Sequence, residues 1–210
     1  MGRSRYLLVA LALGATQPAV AGEFSANIGM MSDYLFRGIK QNTSASAFGG
    51  LDYEHSSGLF VGTWAAEVGE GVEYDLYGGY GGSIGDLSYS VGYTGYFYTD
   101  DFDDTYQEIN LNLGYGLFSV EYSRGEYDNF DGPTLDYGFL AGTVEYEGFY
   151  GTYGTFSSDF EGDYLEVGYG AEVSGLDLGI AAVYSDSDLA PGDSSETTLY
   201  FTIAKTFDLR

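Results

Sequence analysis

Cysteine is absent from this 210-residue sequence, histidine occurs once, proline three times, and lysine and arginine together seven times against 32 aspartates and glutamates. Without cysteine there are no disulfides, no thiolate chemistry and no cysteine-ligated metal, so stability must come from packing and backbone pairing. The shortage of basic residues leaves a formal net charge of −25, which makes nucleic acid and anionic headgroups poor partners. Long apolar runs are missing too. After Ala21, charged or glycine-rich positions interrupt every apolar stretch, whereas a transmembrane helix needs about 20 apolar residues. If the mature chain spans a membrane, it must do so as a β-barrel.

The first residues read as an export signal. Arg3 and Arg5 supply a basic start, Tyr6 to Leu13 an apolar run too short to cross a bilayer, and Ala19-Val20-Ala21 a small-residue cleavage site. The expected organisation is a cleaved signal peptide at 1–21 followed by one barrel domain at 22–210. Removing Arg3 and Arg5 leaves five basic residues against 32 acidic ones, a formal charge of −27.

The composition includes 33 glycines, 22 tyrosines and 14 phenylalanines, a balance unlike collagen, a disordered chain or a helical bundle. Tyrosine and phenylalanine favour strands, and tyrosine suits a membrane–water interface. From Glu23 onward, strand-length segments alternate apolar residues with small or polar ones. In 87–98, Leu87, Tyr89, Val91, Tyr93 and Phe97 share one face, and Ser88, Ser90, Gly92, Thr94, Tyr96 and Tyr98 the other. In 105–115, Ile109, Leu111, Leu113 and Tyr115 oppose Glu108, Asn110, Asn112 and Gly114. The pattern predicts twelve strands at 24–39, 45–54, 59–67, 72–82, 87–98, 105–115, 118–126, 135–146, 149–156, 164–173, 176–185 and 196–207.

The connections alternate between two kinds. Short ones fall at 55–58, 83–86, around Gly116, at 147–148 and at 174–175. Mostly longer and acidic ones fall at 99–104, 127–134, 157–163 and 186–195, with 40–44 and 68–71 as weaker members. This asymmetry is that of a transmembrane antiparallel up-and-down β-barrel, with tight turns in the periplasm and longer loops outside. An even strand count then places both termini at the periplasmic side of a bacterial outer membrane. A soluble β-sandwich also alternates, but it exposes its polar face and would need lysine there and at its edges. The polar face here is glycine, serine, tyrosine and carboxylate.

The opening strand carries Ser-Asp-Tyr-Leu-Phe-Arg-Gly at 32–38, then a glycine pair at 49–50, Asp52-Tyr53 and Gly-Leu-Phe-Val-Gly-Thr-Trp at 58–64; the chain closes with Lys205-Thr206-Phe207 before Asp208-Leu209-Arg210. This order resembles the TorF-type porin family, uncharacterised proteobacterial outer-membrane proteins. The resemblance implies an outer-membrane location and a pore, and brings no substrate or catalytic residue with it.

Continuing the alternation through the first predicted strand turns Asp33, Leu35 and Arg37 toward the lumen, and Tyr34 and Phe36 toward lipid. Asp52, Glu73, Asp75, Glu108, Glu121 and Glu166 are likewise expected to line the pore, and an acidic lining favours cations. Arg37 is then either a solute contact or, the preferred reading, a buried ion pair that closes the lumen. The expected function is passive diffusion of small solutes or cations. The alternative is a plugged structural or receptor barrel whose acidic outer loops bind divalent cations. Asp100, Asp101, Asp103 and Asp104 are the candidate metal ligands, although no EF-hand spacing surrounds them. The partners expected are outer-membrane lipid and lipopolysaccharide, with a monomer favoured and no cofactor. An enzyme is not expected. The single histidine, His55, sits beside Ser56 and Ser57 in a turn, and adjacency in a turn does not orient a nucleophile and base.

Overall fold

The computed structural model describes residues 22–192 and 194–209, so the predicted signal peptide lies outside the described residues. Fourteen strands follow one another: β1 (Glu23–Met31), β2 (Tyr34–Phe36), β3 (Ile39–Asn42), β4 (Ser46–Glu54), β5 (Leu59–Glu67), β6 (Val72–Ile84), β7 (Leu87–Tyr98), β8 (Tyr106–Tyr115), β9 (Phe118–Tyr127), β10 (Leu135–Tyr146), β11 (Phe149–Ser158), β12 (Asp163–Val173), β13 (Leu176–Ser185) and β14 (Glu196–Leu209). Twelve of them form a closed antiparallel barrel in the order β1-β14-β13-β12-β11-β10-β9-β8-β7-β6-β5-β4, while β2 and β3 pair only with each other. Closure comes from β1 pairing β14 on one side, Phe24 with Leu209 through Met31 with Thr202, and β4 on the other. No sheet edge remains in the wall, so each strand finds its backbone partners within the barrel.

Short turns gather at the end where β1 begins and β14 finishes. Two of them, Glu147-Gly148 and Ser174-Gly175, have positive φ at both positions (50° and 86°, 55° and 77°), the hairpin turn whose twist matches its flanking strands. The longer connections gather at the opposite end, and Pro133 and Pro191 lie within two of them, where no ladder hydrogen bond is lost.

The outer surface follows the alternation. Ile28, Val61, Leu76, Val91, Ile109, Leu111, Val120, Leu140, Val167 and Ile203 are all exposed along the wall. Toward the short-turn end the exposed residues become aromatic, with Phe24, Tyr80, Tyr115, Phe118, Tyr146, Phe149 and Tyr169. Tyr74, Tyr153 and Tyr184 are exposed toward the other end. Cross-strand ring pairs tie the first group together, as in Phe149–Tyr169 and Phe24–Tyr53, both 4.6 Å between centroids. An aliphatic band flanked by aromatic girdles is the outer surface expected of a transmembrane barrel.

Eleven of the twelve predicted wall strands match to within about two residues. The first does not, since β1 ends at Met31 rather than 39. Ser32 closes it by bonding across to β14, Ser32 N donating to Phe201 O at 2.9 Å and Phe201 N donating to Ser32 Oγ at 3.0 Å. The chain then turns inward. Tyr34 and Phe36, expected to face lipid, are therefore inside the barrel, Tyr34 being buried and Phe36 packed against its cluster. The reason is visible in Tyr34-Leu35-Phe36, which is apolar on both faces, as a strand buried on both sides must be.

Candidate functional site

The hairpin β2–β3 occupies the lumen at the long-loop end of the barrel. Arg37 and Gly38 form its two-residue turn, both with positive φ (49° and 81°). Glycine suits that geometry, whereas arginine is strained by it, so the arginine needs compensating contacts. On one side, Tyr34 and Phe36 join a core with Met31, Phe48, Trp64, Ala66 and Val68. On the other, Leu35 and Ile39 pack against Phe139, Tyr164, Val183 and Leu189. Polar contacts reach strands right around the wall. Tyr34 Oη donates to Glu73 on β6 at 2.5 Å, Ser185 Oγ on β13 donates to Gly38 O at 2.6 Å, and Lys40 Nζ lies 2.6 Å from Glu196 on β14. Asn42 Nδ2 donates to Ser46 Oγ at 2.9 Å, where the hairpin returns to β4.

The turn ends in an ion cluster. Arg37 grips Glu108 with both terminal nitrogens, each at 2.8 Å, and reaches Glu121 at 2.6 Å and Ser123 Oγ at 3.1 Å. Its side chain is 8% exposed, that of Glu108 0% and that of Glu121 26%. Glu108 also accepts from Tyr96 Oη at 2.6 Å, Asn110 Nδ2 at 2.7 Å and Tyr137 Oη at 3.0 Å. The guanidinium stacks 4.2 Å from the Phe139 ring centroid and 4.8 Å from that of Phe36. A buried charge is tolerated when it is paired and its remaining hydrogen-bonding capacity is filled, and every one of these contacts serves that end.

The other carboxylates expected at the pore face the interior in two settings. In the first, Asp52 accepts from Tyr77 Oη at 2.5 Å, and Glu166 from Tyr150 and Tyr200 Oη at 2.5 and 2.8 Å. These phenol–carboxylate pairs remain partly accessible. Glu73 and Asp75, beside the hairpin, are 1% and 0% exposed. Asp33 lies in the turn after β1, where it accepts from Ser32 Oγ at 3.0 Å, and Arg37 is on the hairpin, so neither projects from a wall strand.

Sequence reasoning did not find Tyr34, Tyr96, Ser123, Tyr137, Ser185 or the Lys40–Glu196 pair. The available signal was the Arg-Gly dipeptide after a run apolar on both faces, which reads as a turn once the strand is seen to be too long for a bilayer crossing of about 9–11 residues.

The loop aspartates are occupied locally. Asp103 accepts from Tyr127 and Tyr106 Oη at 2.7 and 3.0 Å, Asp104 from the amides of Thr105 and Phe130 at 2.8 and 2.5 Å, and Asp100 from Thr99 Oγ1 at 3.0 Å. Among the described residues, no group of three or more histidine, cysteine or acidic side chains is arranged to hold a metal. His55 Nδ1 lies 2.8 Å from Ser57 Oγ in its own exposed turn.

Wall, girdles and filled polar interior together define a single-chain, up-and-down antiparallel β-barrel with an apolar exterior and an inward-folded hairpin. The chain belongs to the Gcw_chp family, described as a bacterial protein of unknown function, whose model matches residues 15–207. That match does not carry the TorF-type label. No curated protein matches the sequence. Among solved structures, the fold is similar to the KdgM porin, with a TM-score of 0.60 at 7% identity over 89% of this chain and 99% of that one. It is equally similar to the NanC porin, with a TM-score of 0.60 at 10% identity over 89% of this chain and 100% of that one. At these identities the likeness speaks for the fold.

Proposed function

We propose that this chain is an outer-membrane, porin-like barrel that passes small solutes through a constriction made by the 34–42 hairpin, with a preference for cations. In this reading, residues 1–21 are removed on export, and the termini and short turns face the periplasm. Solvating lipid and lipopolysaccharide cover the apolar wall. The observation that carries the reading is the saturation of the hairpin's basic residues. Arg37 is bound by Glu108 and Glu121, and Lys40 by Glu196. The partly accessible carboxylates Asp52 and Glu166 are held by phenols, with no basic side chain among those hydrogen bonds. Rings of one charge sign set ion preference, and here the sign is negative.

Reconstitution into a planar bilayer under a salt gradient tests it. The expected reversal potential is on the cation side, moving toward zero in the Asp52→Asn/Glu166→Gln double variant. An anion-side potential counts against it. The attachment of the hairpin to strands around the barrel favours a second reading, a permanently plugged structural barrel. That reading predicts no conductance from the wild type, and conductance only from variants in which the hairpin is released.

A further inference from the structure

Glu73 and Asp75 lie two residues apart on β6, on the same inward face, with Cα atoms about 7 Å apart as strand geometry dictates. Asp75 is flanked across the ladder by Trp64 on β5 and Tyr96 on β7, and Glu73 by Tyr98. The hairpin covers this face, with the Tyr34 ring 5.6 Å from that of Trp64 and the Phe36 ring 5.5 Å from that of Tyr96. Within this aromatic enclosure both carboxylate oxygens of Asp75 are buried with no hydrogen-bond partner among the described residues, and Glu73 Oε2 is buried beside the Tyr98 phenol. Glu73 Oε1 is engaged by Tyr34. Arg37, the cation on the same hairpin, is committed to Glu108 and Glu121.

Two adjacent buried carboxylates without a counter-charge are costly, and the cost falls when a cation binds between them. We propose that Glu73 and Asp75 form a buried site for a divalent cation of the calcium class beneath the hairpin. The donors are hard oxygens, without nitrogen or sulfur, and two carboxylates neutralise a dication. Calcium tolerates irregular oxygen geometry and completes its shell with water, whereas magnesium demands a near-ideal octahedron that two carboxylates from one strand do not supply. Tyr34 hydrogen-bonds the same Glu73, so the bound ion also fastens β2 to the wall. Asp103 of the 99–104 loop is an electrostatic neighbour of Glu73 but is held by Tyr106 and Tyr127, and the site is independent of whether the lumen conducts.

The site places the chain's single tryptophan next to the ion, which provides the assay. Terbium(III), a luminescent stand-in for calcium, is titrated into the folded, detergent-solubilised protein and excited through tryptophan. The expected result is a saturable signal, displaced by calcium, lost in Asp75→Asn and Glu73→Gln, and unchanged in the loop variant Asp100→Asn/Asp101→Asn. Heat-modifiable gel mobility verifies that each variant is folded. If neither site variant folds, the wild type is melted with calcium and with chelator. Calcium then raises the melting temperature, because a ligand that binds only the folded state stabilises it. The proposal is overturned by a wild type with no tryptophan-sensitised signal, by a signal that survives in folded Asp75→Asn, by one lost in the loop variant, or by a melting temperature indifferent to calcium.

Discussion

Replacing Arg37 with alanine should release the hairpin, and the size of the effect follows from what the arginine leaves behind. The substitution removes four hydrogen bonds and strands Glu108, whose side chain is fully buried. Breaking one member out of a buried ion pair costs about 3–5 kcal/mol. The lower end applies here, because Tyr96, Asn110 and Tyr137 still hold Glu108 and Glu121 keeps some access to water. Relief of the strained φ of 49° at position 37 offsets little of this, since alanine occupies the left-handed region no better than arginine. A loss of about 3 kcal/mol multiplies the ratio of undocked to docked hairpin by roughly 150, at 1.4 kcal/mol per factor of ten. Single-channel recording should then show Arg37→Ala opening far more often, or to larger conductance, than the wild type. Adding Glu108→Gln should reverse part of the effect, because it removes the stranded charge while keeping an acceptor for Tyr96 and Tyr137. A folded Arg37→Ala barrel with wild-type recordings would refute the reasoning, since the ion cluster would then not hold the plug.

Two further outcomes test the wall. Gly148→Ala should destabilise the barrel by more than about 1 kcal/mol, because φ is 86° and the new Cβ would meet Gly170 O at 2.5 Å. Gly175→Ala, with φ 77° and nothing within 4 Å, should cost less, and urea unfolding midpoints of the two variants should rank in that order. Leu111→Arg, which puts a charge on the aliphatic band, should destabilise the bilayer-inserted barrel by about 2–4 kcal/mol. Equal stability of wild type and variant in lipid vesicles would contradict a lipid-facing position for Leu111.

Periodicity made most of the wall legible in the sequence. In β7, β8 and β12 each residue's side follows from strict alternation, because the two faces meet chemically different surroundings. In β5 packing rather than pattern sets the parity. Trp64 is buried in the lumen while Leu59 and Val61 face outward, an arrangement Phe60 and Trp64 obscure because both faces of that strand carry large apolar side chains. The inward hairpin was hidden for a related reason. Tyr34 and Phe36 keep the spacing of an outward face, and only the bend at Ser32-Asp33 separates them from β1. The ion cluster was beyond local reading altogether, since Arg37 meets Glu108 and Glu121 across 71 and 84 residues of sequence, and which strands close over the hairpin is a property of the closed barrel.

The hairpin joins β1 and β4, which are themselves neighbours in the wall. Residues 32–45 are therefore an excursion from a connection that a tight loop would make equally well, and no wall register depends on their length. Insertions, deletions and new side chains in this stretch can remodel the interior of the barrel while the pairing of all twelve wall strands stays as it is. The barrel thus separates the part of the sequence that must build the closed wall from the part free to diversify what fills the interior.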